Sequence, residues 1–150
     1  MEYQTVVKTF RDLSPDELYK ILRLRNEVFV VEQQCSYQDA DNKDQHCNHL
    51  MLLKNGILVA YARLVPAGLS FSEVSIGRVL TASEVRGTGA GKVLMQLAIE
   101  KCHELFGEVA IRIGAQTYAK DFYAALGFKE TGITYLEDDI PHMEMVIDPN

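Results

Sequence analysis

The residues best suited to chemistry in this chain lie at Arg86-Gly87-Thr88-Gly89-Ala90-Gly91-Lys92. Beyond them Leu94, Leu97, Ala98, Cys102 and Leu105 recur at helical spacing, to about Phe106, with Gly107 as a stop signal. A helix entered through glycines leaves its first backbone N–H groups uncovered at the positive end of its dipole. Such a terminus binds phosphate oxygens. Arg86 and Lys92 add positive charge at the rim. Spacing then separates the phosphate ligands. A P-loop reads Gly-x-x-x-x-Gly-Lys-Ser/Thr, but Arg86 stands in place of its first glycine and Val93 in place of the metal-binding hydroxyl. The dinucleotide fingerprint, Gly-x-Gly-x-x-Gly, is one residue longer than Gly87-x-Gly89-x-Gly91. The pattern that fits is Arg-x-x-Gly-x-Gly after a strand.

Composition narrows the function classes. The formal net charge is −6 and the sequence pI about 5.2, which argues against a nucleic-acid footprint and is compatible with a cationic substrate. Cys35, Cys47 and Cys102 are odd in number, and free thiols in a reducing compartment are expected. Cys35, His46, Cys47 and His49 lack the paired C-x-x-C knuckle of a zinc site, so no metal is expected. No apolar run approaches the ~20 residues of a membrane span. The first residues lack the basic and apolar regions of a signal peptide. The expectation is a single soluble, cytoplasmic domain over residues 1–150.

The elements that must position the glycine corner follow in order. Residues 3–10 alternate loosely as an edge strand. Ser14 caps a helix with Pro15 at its first position and Glu17 as capping-box partner. Leu18, Ile21, Leu22, Leu24, Val28 and Phe29 give that helix an apolar stripe ending near residues 29–31. Residues 32–48 are polar and aperiodic, which suggests a substrate loop. Residues 49–54 and 57–65 read as strands joined by Asn55-Gly56, a strong hairpin signal. Residues 74–81 lead into the glycine corner. After the long helix Val109, Ile111 and Ile113 alternate on a strand expected to run parallel to residues 74–81, as a crossover helix requires. Residues 118–126 form a short helix closed by Gly127. Strands near 128–131 and 142–147 flank a loop at residues 136–141. The fold class is α/β (α+β): a mixed, mostly antiparallel sheet with helices on both faces and one parallel strand pair.

The glycine corner resembles the acetyl-coenzyme A pyrophosphate loop of the GNAT superfamily of N-acetyltransferases, and the element order is also that family's. Phe122-Tyr123-Ala124-Ala125-Leu126-Gly127-Phe128 is similar to its Phe/Tyr-Tyr-x-x-Leu-Gly-Phe signature. Helix capping and core packing account for Leu126, Gly127 and Phe128 but not for Tyr123. Further segments narrow the resemblance to the ElaA-like branch across nearly the whole chain: Leu24-Arg25-x-x-Val28-Phe29-Val30-Val31-Glu32-Gln33, Ala60-Tyr61-Ala62-Arg63, Ile76-Gly77-Arg78-Val79 and Glu137-Asp138-Asp139-Ile140-Pro141-His142.

What the resemblance implies is an acetyl-coenzyme A-dependent N-acetyltransferase acting by direct transfer to a primary amine, on a small molecule or an exposed amino group. Val79, Leu80 and Thr81 would offer strand backbone to the acyl and pantetheine groups. Arg86, Gly87, Thr88, Gly89, Ala90, Gly91 and Lys92 would hold the pyrophosphate. Many members carry an asparagine seven residues before the tyrosine; here it is Gln116. Tyr123 would protonate the departing thiolate, since a phenol with a pKa near 10 carries its proton at neutral pH. Attack by an amine also needs a base, for which Glu32, His49 and His142 are candidates. His142 ranks first, because an imidazole works near neutral pH whereas Glu32 needs burial to raise its pKa. Glu32 is equally readable as an ion-pair partner of Arg25. Glu32, Gln33, Asp39, Asp41 and His49 are the expected acceptor-side residues. The acceptor side is expected from the loop at residues 32–41 and the segment at residues 137–142, and Asp39, Asp41, Glu137, Asp138 and Asp139, if they converge on the cleft, would attract a cationic amine. Arg78 would meet a substrate carboxylate or neutralise a nearby acid. A homodimer is an open expectation. Two rival readings remain: a coenzyme-sensing module without turnover, and transfer of a different acyl group.

Overall fold

A computed structural model of the chain describes residues 3–149. Strand β1 (Gln4–Thr9) leads to helix α1 (Pro15–Arg25), whose start carries the reciprocal capping box. The Ser14 hydroxyl accepts from the Glu17 N–H, and the Glu17 carboxylate accepts from the Ser14 N–H. The helix does not simply end in its β-branched stretch: Asn26–Glu32 continues as a π-helical turn, a wider coil that shifts the register of Phe29 and the residues after it.

Strands β2 (Asn48–Lys54), β3 (Ile57–Val65) and β4 (Ser75–Thr81) complete an antiparallel sheet in the order β1-β2-β3-β4. The β2–β3 turn has Asn55 at φ 54° and Gly56 at φ 79°, the paired left-handed conformation that Asn-Gly favours. Helix α2 (Ala90–Phe106) crosses to β5 (Ile111–Gln116), and α3 (Lys120–Ala125) precedes β6 (Lys129–Glu137) and β7 (Ile140–Ile147). The last three strands form a second antiparallel sheet, ordered β5-β7-β6. No helix among the described residues is long and apolar enough to cross a membrane.

Two apolar clusters fix the layers. Leu94, Met95, Ala98 and Cys102 of α2 pack with Leu50, Leu52, Ala62 and Leu64. Ile21, Leu24 and Val28 pack with Met51, Tyr61 and Leu80. Alternate residues of β2 therefore face opposite helices, as strand period two requires.

Two expectations are corrected. The parallel pairing of β4 and β5 shrinks to one bridge, Val74 with Ile111, supported by the Arg112 N–H donating to the Val74 carbonyl at 2.9 Å. Beyond it the strands part. The loop expected at residues 136–141 is a two-residue turn, Asp138 and Asp139 at φ 50° and 64°, because β6 and β7 pair as far as Glu137 and Ile140. Short acids tolerate the left-handed region better than branched side chains do.

Candidate active site

The glycine corner has the geometry that its sequence predicts. Gly87 and Gly89 sit at φ 79° and 88°, with open space where a Cβ would stand. Gly89 is the N-cap of α2 and no side chain caps the helix; the Val93 N–H is the first to return a bond, to the Gly89 carbonyl at 3.2 Å. The first-turn amides are thus left for an outside acceptor, and the residues present fit a diphosphate. Arg86 does not stand free at the rim, as expected, but turns back. Its Nε and Nη2 donate to the Thr81 carbonyl at 3.2 and 2.9 Å, and Nη2 meets Glu32 at 2.6 Å.

Between the parting strands lies a cavity of about 170 Å³. Its walls include Val79 of β4, Gln116 of β5, Tyr123 of α3 and His142 of β7. A bulge shapes the β4 wall: Arg63 pairs with Gly77 and Tyr61 with Leu80, leaving Arg78 and Val79 without partners in the β3 register. Arg78 takes φ 51°, an uncommon conformation for a non-glycine residue inside a strand. Since β5 has peeled away, the other edge of β4 has no partner strand among the described residues along this stretch.

His142 is buried, and its Nδ1 lies 2.7 Å from the Ile140 carbonyl. A carbonyl only accepts, so Nδ1 carries the hydrogen and the neutral ring keeps its lone pair on Nε2. The Glu137 carboxylate lies 3.7 Å from that nitrogen. Tyr135 stacks on the imidazole, with ring centroids 5.4 Å apart. Burial pushes the Tyr123 phenol up to about 12, with a smaller contribution from Tyr118, so it stays protonated over the ordinary pH range.

The polar segment at residues 33–47 is held by ions. Arg25, wholly buried in α1, bonds Asp39 and Asp44 at 2.8 Å each. Arg63 grips Asp41 through two nitrogens and reaches Asp44 at 3.0 Å. Arg78 bonds Asp39 at 2.8 Å and Asp41 at 3.3 Å. Three guanidiniums meet three carboxylates, and the cluster is neutral. Several expectations fall on this cluster. Asp39 and Asp41 are committed to arginines, so they do not act as free charges drawing in a cation. Of the two roles open to Arg78, the structure assigns neutralisation of acids. Arg25 pairs with these aspartates and not with Glu32, which pairs with Arg86 and does not line the cavity. His49 is removed from the acceptor side altogether. It is wholly buried, donates from Nε2 to the Asp44 carbonyl at 2.9 Å and accepts from the Tyr61 hydroxyl at 2.6 Å. Burial also lowers its pKa. Gln33 does reach the cavity wall.

Sequence reasoning passed over Tyr37, Tyr135, Gly114 and Asp44. Tyr37 lines the cavity, donates to Asp39 at 2.9 Å and lies under the Arg78 guanidinium, 5.5 Å from the ring centroid. Gly114 lies under the Tyr135 hydroxyl, where a Cβ would collide. A usable signal existed: arginines inside the apolar runs of α1, β3 and β4 require buried partners, and Asp39-x-Asp41-x-x-Asp44 supplies them. Among the described residues no group of three or more His, Cys, Asp or Glu side chains is arranged to hold a metal ion.

The two sheets part beside a glycine-entered helix, and Tyr123 and His142 line the gap between them. Residues 9–149 match the family model described as "Acetyltransferase (GNAT) domain". The chain belongs to the GNAT acetyltransferase family. Within it the chain is ElaA-like. It is 40% identical over 136 residues to protein ElaA of Escherichia coli K12, covering 89% of each chain. It is 45% identical over 142 residues to a UPF0039 protein of Schizosaccharomyces pombe, covering 93% of each. The crystal structure of an acyl-CoA N-acyltransferase from Pseudomonas aeruginosa superposes with a TM-score of 0.92 at 39% identity, over 97% of this chain and 99% of that one. That of Escherichia coli ElaA gives 0.91 at 36% identity, over 98% and 100%.

Proposed function

We propose that the chain transfers an acetyl group from acetyl-coenzyme A directly to a primary amine. The observation that carries the reading is the meeting of a tautomer-fixed imidazole, His142, and a protonated phenol, Tyr123, on one cavity. When bound, the thioester supplies an acyl carbonyl and a thiol leaving group. The amides of residues 87–92 hold its diphosphate, and Gln116 contacts the coenzyme from β5. His142 accepts the ammonium proton on Nε2, the nitrogen that faces Glu137. Backbone N–H groups on the edge of β4 turned away from β3, at Val79 and Thr81, stabilise negative charge developing on the carbonyl oxygen. Tyr123 donates to the departing sulfur. Glu32 orders the mouth through Arg86 instead of moving a proton. No covalent acyl-enzyme is needed; Cys47 and Cys102 are buried, and burial raises their thiols to about 11 and 12.

The test is hydrolysis-corrected thiol release from acetyl-coenzyme A with amines, polyamines, amino acids and peptide N-termini as acceptors. Amine-dependent release should appear. His142→Ala should reduce it by about 10²–10⁴-fold and remove the acidic limb of the pH–rate profile, with coenzyme affinity retained. Coenzyme binding with no amine-dependent release would describe a sensing module instead. Preference for a longer acyl-coenzyme A would replace the acetyl assignment.

A further inference from the structure

A second cavity, of about 650 Å³, adjoins the first and shares Gly77, Arg78, Gly114 and Glu137 with it. The volume suits a small organic ligand. Its charge is unevenly satisfied. Arg63 and Arg78 line it but are neutralised by the three aspartates. Glu144, another lining residue, is held by Arg112 at 2.8 Å. What remains is Lys43 at one place and Glu137 with Asp138 at another. Lys43 lines this cavity and not the first; its ammonium donates to the Ser70 hydroxyl at 3.3 Å and has no carboxylate partner among the described residues. Glu137 and Asp138 line both cavities, and Glu137 neighbours His142.

A second observation points to the same end. Among the described residues one buried side-chain nitrogen or oxygen lacks a hydrogen-bond partner: Nε of Arg63, a residue 3% exposed that lines this cavity. A buried N–H without an acceptor is costly, and it marks a wall that the protein itself does not fully satisfy. The cavity thus offers one cation without a carboxylate partner, Lys43, apart from the lining of the first cavity, and two carboxylates that line both cavities, one of them 3.7 Å from His142.

We infer that this cavity is the acceptor chamber and that it takes a small amine also bearing a carboxylate, of the α-amino acid type. The ammonium lies toward Glu137, Asp138 and His142, and the carboxylate toward Lys43. A phosphate is less well matched, since it brings up to two negative charges to one unpaired cation. The inference rests on the amine-transfer reading above and deepens it.

The experiment uses matched sets: L-α-amino acids, their amides and the corresponding decarboxylated amines. Thiol release from acetyl-coenzyme A is measured with each, and calorimetry follows acid and amide binding to the enzyme–coenzyme A complex. In at least one set the acid should exceed the amide by about tenfold or more in kcat/KM, mainly through KM, as expected for a hydrogen-bonded charge pair. Lys43→Gln should remove most of that preference and Lys43→Arg restore it. Acids no better than amides in every set, or a preference that survives Lys43→Gln, would overturn the assignment. Should no amine support thiol release, Lys43-dependent binding of an amino acid in calorimetry would uphold the chamber while the transfer reading fell. Absence of that binding as well would sink both.

Discussion

Tyr135 and His142 are direct cross-strand partners on β6 and β7, their rings 23° from parallel, and the Tyr135 hydroxyl lies over Gly114 of β5. The imidazole is therefore held in place from two sides: by the Ile140 carbonyl at Nδ1 and by a phenol ring whose own position depends on a missing methyl group. Gly114→Ala would put a Cβ into that hydroxyl and push the ring off the imidazole. A fall in kcat/KM of about tenfold or more is expected, as small misplacements of catalytic groups cost that much or more. Tyr135→Phe in the same chain removes the colliding oxygen, leaving the ring carbon at an ordinary 3.5 Å, and should recover most of the loss. Steady-state kinetics of the single and double variants checks this, and a double variant no better than the single one refutes it.

Gly89→Asp sets a negative charge and a side chain at the N-cap of α2, in a left-handed position. Coenzyme affinity should fall tenfold or more, about 1.4 kcal/mol at least. Calorimetry on the folded variant measures it. Unchanged affinity would move the diphosphate away from this helix.

Tyr123→Phe keeps the ring that packs edge-on to Phe122 and Phe128 and deletes only the hydroxyl. Coenzyme affinity should hold while kcat drops by about 10²–10⁴-fold. Because burial raises the wild-type phenol to about 12, its ionisation should not cause an alkaline fall in rate below about pH 10. Chemistry-limited rates across that range settle both points; a loss under threefold would place the proton donor elsewhere.

Asp44 bridges Arg25 and Arg63. Burial alone would raise its pKa, but the hydrogen bonds and charges of the two arginines outweigh burial and hold it below the usual carboxylate range. A carboxylate with a lowered folded-state pKa contributes stability that is complete above its unfolded value, near 3.9, and is lost as pH falls through the folded one. Asp41 acts in the same direction. Urea midpoints should therefore decline below about pH 4, and Asp44→Asn should flatten part of that decline. At neutral pH the variant leaves buried guanidinium charge unmatched and should lose about 3–5 kcal/mol. A neutral-pH loss below about 1 kcal/mol would mean that water or a neighbouring acid takes over the role.

Local signals carried the sequence reading far. The Ser14 capping box, the Asn55-Gly56 turn and the glycine entry to α2 each depend on a few adjacent residues, and each lies where the residues put it. The parting of β4 from β5 was not legible, because whether two strands stay paired is decided by a bulge at Arg78 and by which strand takes the other edge of β5. His49 was misassigned for a related reason. A histidine in an apolar strand looks functional until a tyrosine and a carbonyl, brought there by tertiary folding, satisfy both ring nitrogens. The polar run at residues 32–48 reads as a substrate loop because the partners of its aspartates, Arg25, Arg63 and Arg78, are scattered across three other elements.

The single bridge between Val74 and Ile111 has an evolutionary reading. It makes the opening a property of the main chain: two strands are stapled at one end and diverge, whatever side chains they carry. The aperture therefore survives replacement of its wallpaper. A lineage could exchange Lys43, Tyr37 or Glu137 and so change what the gap admits without rebuilding the gap itself.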